Sequence, residues 1–90
     1  MKIALLEISH WHFPLYIEDL LTSGVDIIAL SDKNEKIRKQ YGTKFNSRAY
    51  SDWRQLLADN KVDAVFAFGE HHEMLEIGMT LINKGIPFSI

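Results

Sequence analysis

The sequence predicts a three-layer αβα domain built on a parallel five-stranded sheet in the order 3-2-1-4-5. Three observations carry that expectation. Short apolar, β-branched runs at 3–8, 25–30 and 62–68 read as strands buried on both faces. Segments with helical spacing lie between them, and the connections are short, so each strand returns parallel to the last through a right-handed crossover.

The elements follow in order. After the first strand, Pro14 suits the opening turn of a helix, Leu15, Ile17, Leu20 and Leu21 recur at helical spacing, and Gly24 suits its end. Ser31-Asp32 with Glu35 resembles a capping box for a charged helix over 33–41, closed by Gly42. A short third strand is expected at 44–46, and Asp52 caps a helix carrying Trp53, Leu56 and Leu57. The segment 71–84 sets Met74, Leu75, Gly78, Leu81 and Ile82 on one face, with Gly85 as its stop. A last strand is expected over 86–90, where Pro87 near its start suits a sheet edge.

Composition narrows the function classes. Ninety residues make one small domain, 47% hydrophobic and 24% charged, as in ordinary globular proteins. A net charge of −2 with no basic stripe speaks against nucleic-acid or anionic-membrane partners. The chain has no cysteine, which removes disulfides, thiolate metal sites and cysteine nucleophiles together. Glu7 interrupts the opening apolar run too early for a signal segment, and no stretch approaches the ~20 apolar residues of a membrane span. A cytoplasmic protein is expected.

An open α/β sheet binds ligands at the carboxyl ends of its strands, beside the point where the strand order reverses. Here that point lies between the first strand and 62–68, so the loops 7–13, 31–34 and 69–73 should form the site. All four histidines of the chain, His10, His12, His71 and His72, fall in the first and third of those loops. A metal site from them, with Glu70 or Glu73, is one reading. Neighbouring helix residues point about 100° apart, so His71 and His72 converge poorly on one ion, and no metal ligand is assigned. Asp32 ends the second strand about twenty residues beyond the first turn, where a carboxylate can accept a hydrogen bond from a ribose 2′-hydroxyl. Helix capping explains the same residue type.

The whole chain resembles the start of the glucose–fructose oxidoreductase/inositol dehydrogenase (Gfo/Idh/MocA) family of NAD(P)-dependent enzymes. The likeness rests on Lys2-Ile3-Ala4, His10-Trp11-His12, Ala29-Leu30-Ser31-Asp32, the segment from Tyr50 to Leu57, and Val62-Asp63-Ala64-Val65. It implies that residues 1–90 are a Rossmann-like nucleotide-binding domain, ending before the family's last strands and its substrate domain. It further implies an oxidoreductase acting on a sugar- or polyol-like CH–OH group, with a dinucleotide bound by Ser9, His10, Trp11, His12, Asp32, Lys33, Glu70 and His71. NAD is favoured over NADP, because Asp32 would repel a 2′-phosphate and Lys33 is no planar guanidinium clamp. No catalytic residue is assigned. In the family a Glu-Lys-Pro motif supplies the catalytic lysine after the fifth strand, beyond the residues present here, so no turnover is expected of this chain alone.

The sequence departs from the family at the first turn. The glycines of the usual G-x-G-x-x-G correspond to Glu7, Ser9 and His12. The alternative reading is therefore a non-catalytic or degenerate ligand-binding module. A homo-oligomer through the uncapped edge strand is also expected.

Overall fold

A computed structural model describes residues 1–9, 24–69 and 71–89, without the side chains of His71 and Ser89. The helix expected from Leu15 to Leu21 lies outside the described residues, although Gly24, expected to close it, has φ +76°. The described elements are β1 (Lys2–Leu6), β2 (Asp26–Ser31), α1 (Glu35–Phe45), β3 (Arg48–Tyr50), α2 (Trp53–Asp59), β4 (Ala64–Ala67), α3 (His71–Lys84) and β5 (Phe88–Ser89).

The sheet has five strands in the order β3-β2-β1-β4-β5, as the alternation predicts. Every pairing is parallel, including β1 with β4, where Ile3 faces Ala64 and Leu6 faces Ala67. Alternation along β1 divides the core between the two faces of the sheet. Ala4 and Leu6 join Trp53, Leu56, Leu57, Met74, Ile77 and Leu81 on the α2/α3 face. Ile3, Leu5 and Ile8 join Ile27 and Leu30, against which Ile37, Tyr41 and Phe45 of α1 pack. Strands buried on both faces explain the unbroken apolar runs.

Three differences from the sequence reading concern the helices. Helix α1 starts at Glu35 and not at 33, because Asn34 caps it. The Asn34 Oδ1 accepts the Lys36 and Ile37 N–H groups at 2.9 and 3.2 Å. Ser31 and Asp32 belong instead to the strand end and the turn behind it. Gly42 does not stop the helix either; a Cβ there would come within 3.4 Å of the Ala49 side chain and the Ser47 carbonyl. Its role is close packing on β3. Asn46, in the left-handed region at φ 52°, ends the helix, so 44–46 cannot be a strand and β3 begins at Arg48. Asn34→Ala is expected to cost about 1 kcal/mol of stability, read as a lower urea midpoint with unchanged slope.

The third difference concerns α3. Its buried side carries Met74, Ile77 and Leu81, whereas Leu75, Met79 and Ile82 are exposed. Residues 75 and 82 sit about 100° around the helix from 74 and 81, so one narrow sheet cannot cover both pairs. Gly85, at φ +70°, ends the helix as expected, and the Ile86 N–H reaches back to the Leu81 carbonyl at 2.9 Å.

Candidate functional site

The three loops expected to meet at the carboxyl ends of the strands do meet, as far as the described residues reach. The chain leaves β1 through Glu7, whose φ of 57° is a left-handed conformation usual for glycine. The backbone path of a glycine turn is thus kept by a residue that carries a charged side chain. Two contacts to β2 hold this turn. The Glu7 N–H donates to the Ser31 hydroxyl at 3.2 Å, and the Ile8 N–H donates to the Ser31 carbonyl at 3.3 Å.

Asp32 is the second anchor. One carboxylate oxygen accepts the Ser9 N–H and the other the Asn34 N–H, both at 2.9 Å. The Arg38 guanidinium donates to the Asp32 carbonyl at 2.9 Å, and the Asp32 N–H donates to the Tyr50 carbonyl at 3.1 Å. With 1% of its surface exposed, Asp32 ties the first turn to the second strand end. It does not act as the cap of α1, which is Asn34.

The Glu7 side chain runs from this turn toward the start of α3. It passes beside Gly69, where an added Cβ would lie 3.4 Å from the Cβ atoms of both Glu7 and Glu73. The Glu7 carboxyl is buried, and that burial, with Glu73 and Asp32 nearby, pushes its pKa up to about 7. Lys33 and a hydrogen bond from the Ser31 hydroxyl (3.4 Å) pull the other way but do not prevail. Lys33 lies 3.4 Å from Glu73, with 74% of its side chain in solvent, so this pair is screened and weak.

Beside Glu7 and Lys33 opens a cleft of about 330 Å³, bounded by the start of α2 from Ser51 to Arg54 and by His72, Glu73 and Glu76 of α3. Arg54 stacks 4.3 Å over the Trp53 ring and pairs with Glu76, fixing that wall. The size is at the lower end of small-molecule sites. Larger hollows of about 610 and 700 Å³ lie at the amino ends of the strands, the wrong edge for an open α/β site.

Of the residues expected to bind a dinucleotide, Ser9, Asp32 and Lys33 come together at this edge. His10, Trp11, His12 and Glu70 lie outside the described residues, and of His71 only the backbone, at the start of α3, is described. Among the described residues no group of three candidate ligands could hold a metal ion. Sequence reasoning gave Arg38 no role, read Ser31 only as part of a helix cap, and weighed Glu73 only as a metal ligand. A hydroxyl beside a strand-end carboxylate, six residues before an arginine, was the available signal for the first two.

No family model matches the chain, and no curated protein does. Solved structures do. Myo-inositol 2-dehydrogenase from Lactobacillus plantarum superposes with a TM-score of 0.88 at 13% identity, over 98% of this chain and 26% of that one. An oxidoreductase from Agrobacterium radiobacter, in complex with NAD+, L-tartaric acid and magnesium, gives 0.86 at 22% identity, over 98% and 26%. A Gfo/Idh/MocA family oxidoreductase from Vibrio cholerae gives 0.82 at 21% identity, over 98% and 28%. The chain thus spans about a quarter of the length of each of these three. No helix among the described residues is long and apolar enough to cross a membrane. The fold of this chain is the Rossmann-like fold that these dehydrogenases share.

Proposed function

We propose that residues 1–90 form the NAD(P)-binding domain of a Gfo/Idh/MocA-type oxidoreductase acting on a sugar- or polyol-like CH–OH group, with NAD preferred over NADP. The observation that carries the reading is Asp32 at the end of β2, beside the switch point, in a fold shared with an oxidoreductase crystallised with NAD+. A bound nicotinamide supplies the hydride-transfer chemistry; this chain's residues bind and orient. The left-handed φ of Glu7, where the family carries the first glycine of its turn, supports a turn of that kind. Ser9, Asp32 and Lys33 are its candidates for holding the phosphate and ribose side, with His10, Trp11, His12, Glu70 and His71 completing the set. The Asp32 carboxylate must first be uncovered, since it is buried and both its oxygens already accept backbone N–H groups.

The fit depends on the charge of Glu7. Ionised, its carboxylate repels a pyrophosphate; protonated, it does not. With its pKa at about 7, the chain should bind NADH more tightly at pH 6 than at pH 8. One unit of charge near the phosphates is worth on the order of 1 kcal/mol, or several-fold in Kd. Titration followed by nicotinamide fluorescence checks this, with NADPH as the weaker ligand. One observation favours a second reading, a ligand-binding module without cofactor: an acidic side chain stands at the first-turn glycine position. Absence of saturable binding at both pH values would establish that reading in place of the first.

A further inference from the structure

The hollow of about 610 Å³ at the amino ends of the strands lies opposite the cofactor edge and has a chemistry of its own. Four of the ten Lys and Arg residues, Lys2, Lys44, Arg48 and Lys61, line it. Only two of the twelve Asp and Glu residues, Asp26 and Asp59, stand with them, in a chain whose net charge is −2. Its walls lie wholly between residues 2 and 61, at the starts of β1, β2 and β3 and the ends of α1 and α2. All four cations are exposed, and among the described residues none of them pairs with a carboxylate.

Basic residues are ordinary at helix ends, where they complement the helix dipole. That accounts for Lys44 in the last turn of α1 and for Lys61 just beyond α2. It does not account for Lys2 and Arg48, which open strands. Arg48 is also held in place. Its Nη1 donates to the Asn60 Oδ1 at 3.3 Å, and Asn60 is itself fixed by donating through Nδ2 to the Leu56 carbonyl at 2.8 Å and the Tyr50 hydroxyl at 3.1 Å. A neutral amide as partner leaves the guanidinium charge uncompensated beside the hollow.

We propose that this hollow binds a phosphate monoester of a small polyhydroxy compound, at a site separate from the dinucleotide's. The phosphate carries roughly two negative charges at neutral pH, which the four cations answer. The planar fork of Arg48 can take two of its oxygens at once, and the lysines act as point charges. Asp26 and Asp59 disfavour a bare polyanion, but their carboxylates accept hydrogen bonds from hydroxyl groups. Partly buried Val25, Ile28 and Phe45 give the carbon skeleton an apolar wall. The volume falls within the range of small-molecule sites.

The test is a titration of the 90-residue chain with glucose 6-phosphate, followed by the backbone amide signals in ¹H–¹⁵N spectra. Saturable shifts are expected at Lys2, Lys44, Arg48 and Lys61. Arg48→Gln and Lys44→Gln should each weaken binding about fivefold, the loss of one charge near the phosphate, with unchanged circular dichroism. Inorganic phosphate should move the same amides more weakly, and glucose should move none of them. Shifts at these amides that do not saturate in the millimolar range overturn the proposal, and so does an affinity that neither variant changes. Inorganic phosphate binding as tightly as the ester would show an anion site with no place for the hydroxyl groups, which overturns the assigned ligand class.

Discussion

Glu7→Gly should raise stability by about 3 kcal/mol at pH 8, several-fold more than at pH 5. Two separate costs of the native residue are removed. A left-handed conformation costs a non-glycine residue about 1 kcal/mol. The buried carboxyl, with its pKa raised from 4.5 to about 7, costs about 3 kcal/mol once it is ionised. Against these stand the wider freedom of glycine in the unfolded chain and the lost packing beside Gly69, together about 1 kcal/mol. The Glu7 N–H bond to the Ser31 hydroxyl belongs to the backbone and survives the substitution.

The sign follows from proton uptake. Between pH 4.5 and 7 the folded chain holds a proton on Glu7 that the unfolded chain has lost. Stability contributed by this group therefore falls as pH rises through that window and is level above it. Glu7→Gln separates the two costs, because it removes the charge and keeps the strained conformation. It should match the wild type near pH 4.5 and exceed it at pH 8, whereas Glu7→Gly should keep about 1 kcal/mol or less at low pH. Urea denaturation at both pH values reads all three chains. Both variants should also bind NADH with an affinity that no longer changes between pH 6 and 8. A pH profile of stability identical in wild type and Glu7→Gln would show that Glu7 titrates normally.

The sheet was legible because its signals are local and redundant. Each apolar run needed only to be long enough for a strand, and the alternation with helices then fixed direction and order. Helix ends were legible where one residue type dominates, as at Asp52 and Gly85. They were misread where several polar residues stood together. From 31 to 35 the reading placed the cap at Ser31-Asp32, whereas Asn34 caps the helix because tertiary contacts claim the other two. The exposed flank of α3 was read as core since apolar spacing reports that a face is apolar and not what covers it. At the candidate site, Asp32 was visible from its distance along the chain. Its closure by Ser9 was not, being set by the path of a loop twenty-three residues away, whereas Asn34 closes it locally, two residues on.

That closure makes the loss of Asp32 costly. Asp32→Ala leaves the Ser9 and Asn34 N–H groups without their acceptors in a partly buried turn. Two charge-assisted bonds of this kind are worth about 2–4 kcal/mol together, once partial rehydration of the exposed Asn34 is allowed for. For a chain of this size that is a large share of the total, and the urea midpoint should fall accordingly. Removal of Asp32 also takes away one of the negative charges that raise Glu7, so the wild-type cost contains a hidden gain at pH 8. In a Glu7→Gly background that gain vanishes, and Asp32→Ala should cost more there than in the wild type. The difference should disappear at pH 5, where Glu7 is protonated and repels nothing. A double-mutant cycle at the two pH values measures it directly. Equal costs in both backgrounds at pH 8 would mean that the two carboxylates do not feel one another, and that burial and Glu73 raise the proton affinity of Glu7 without Asp32.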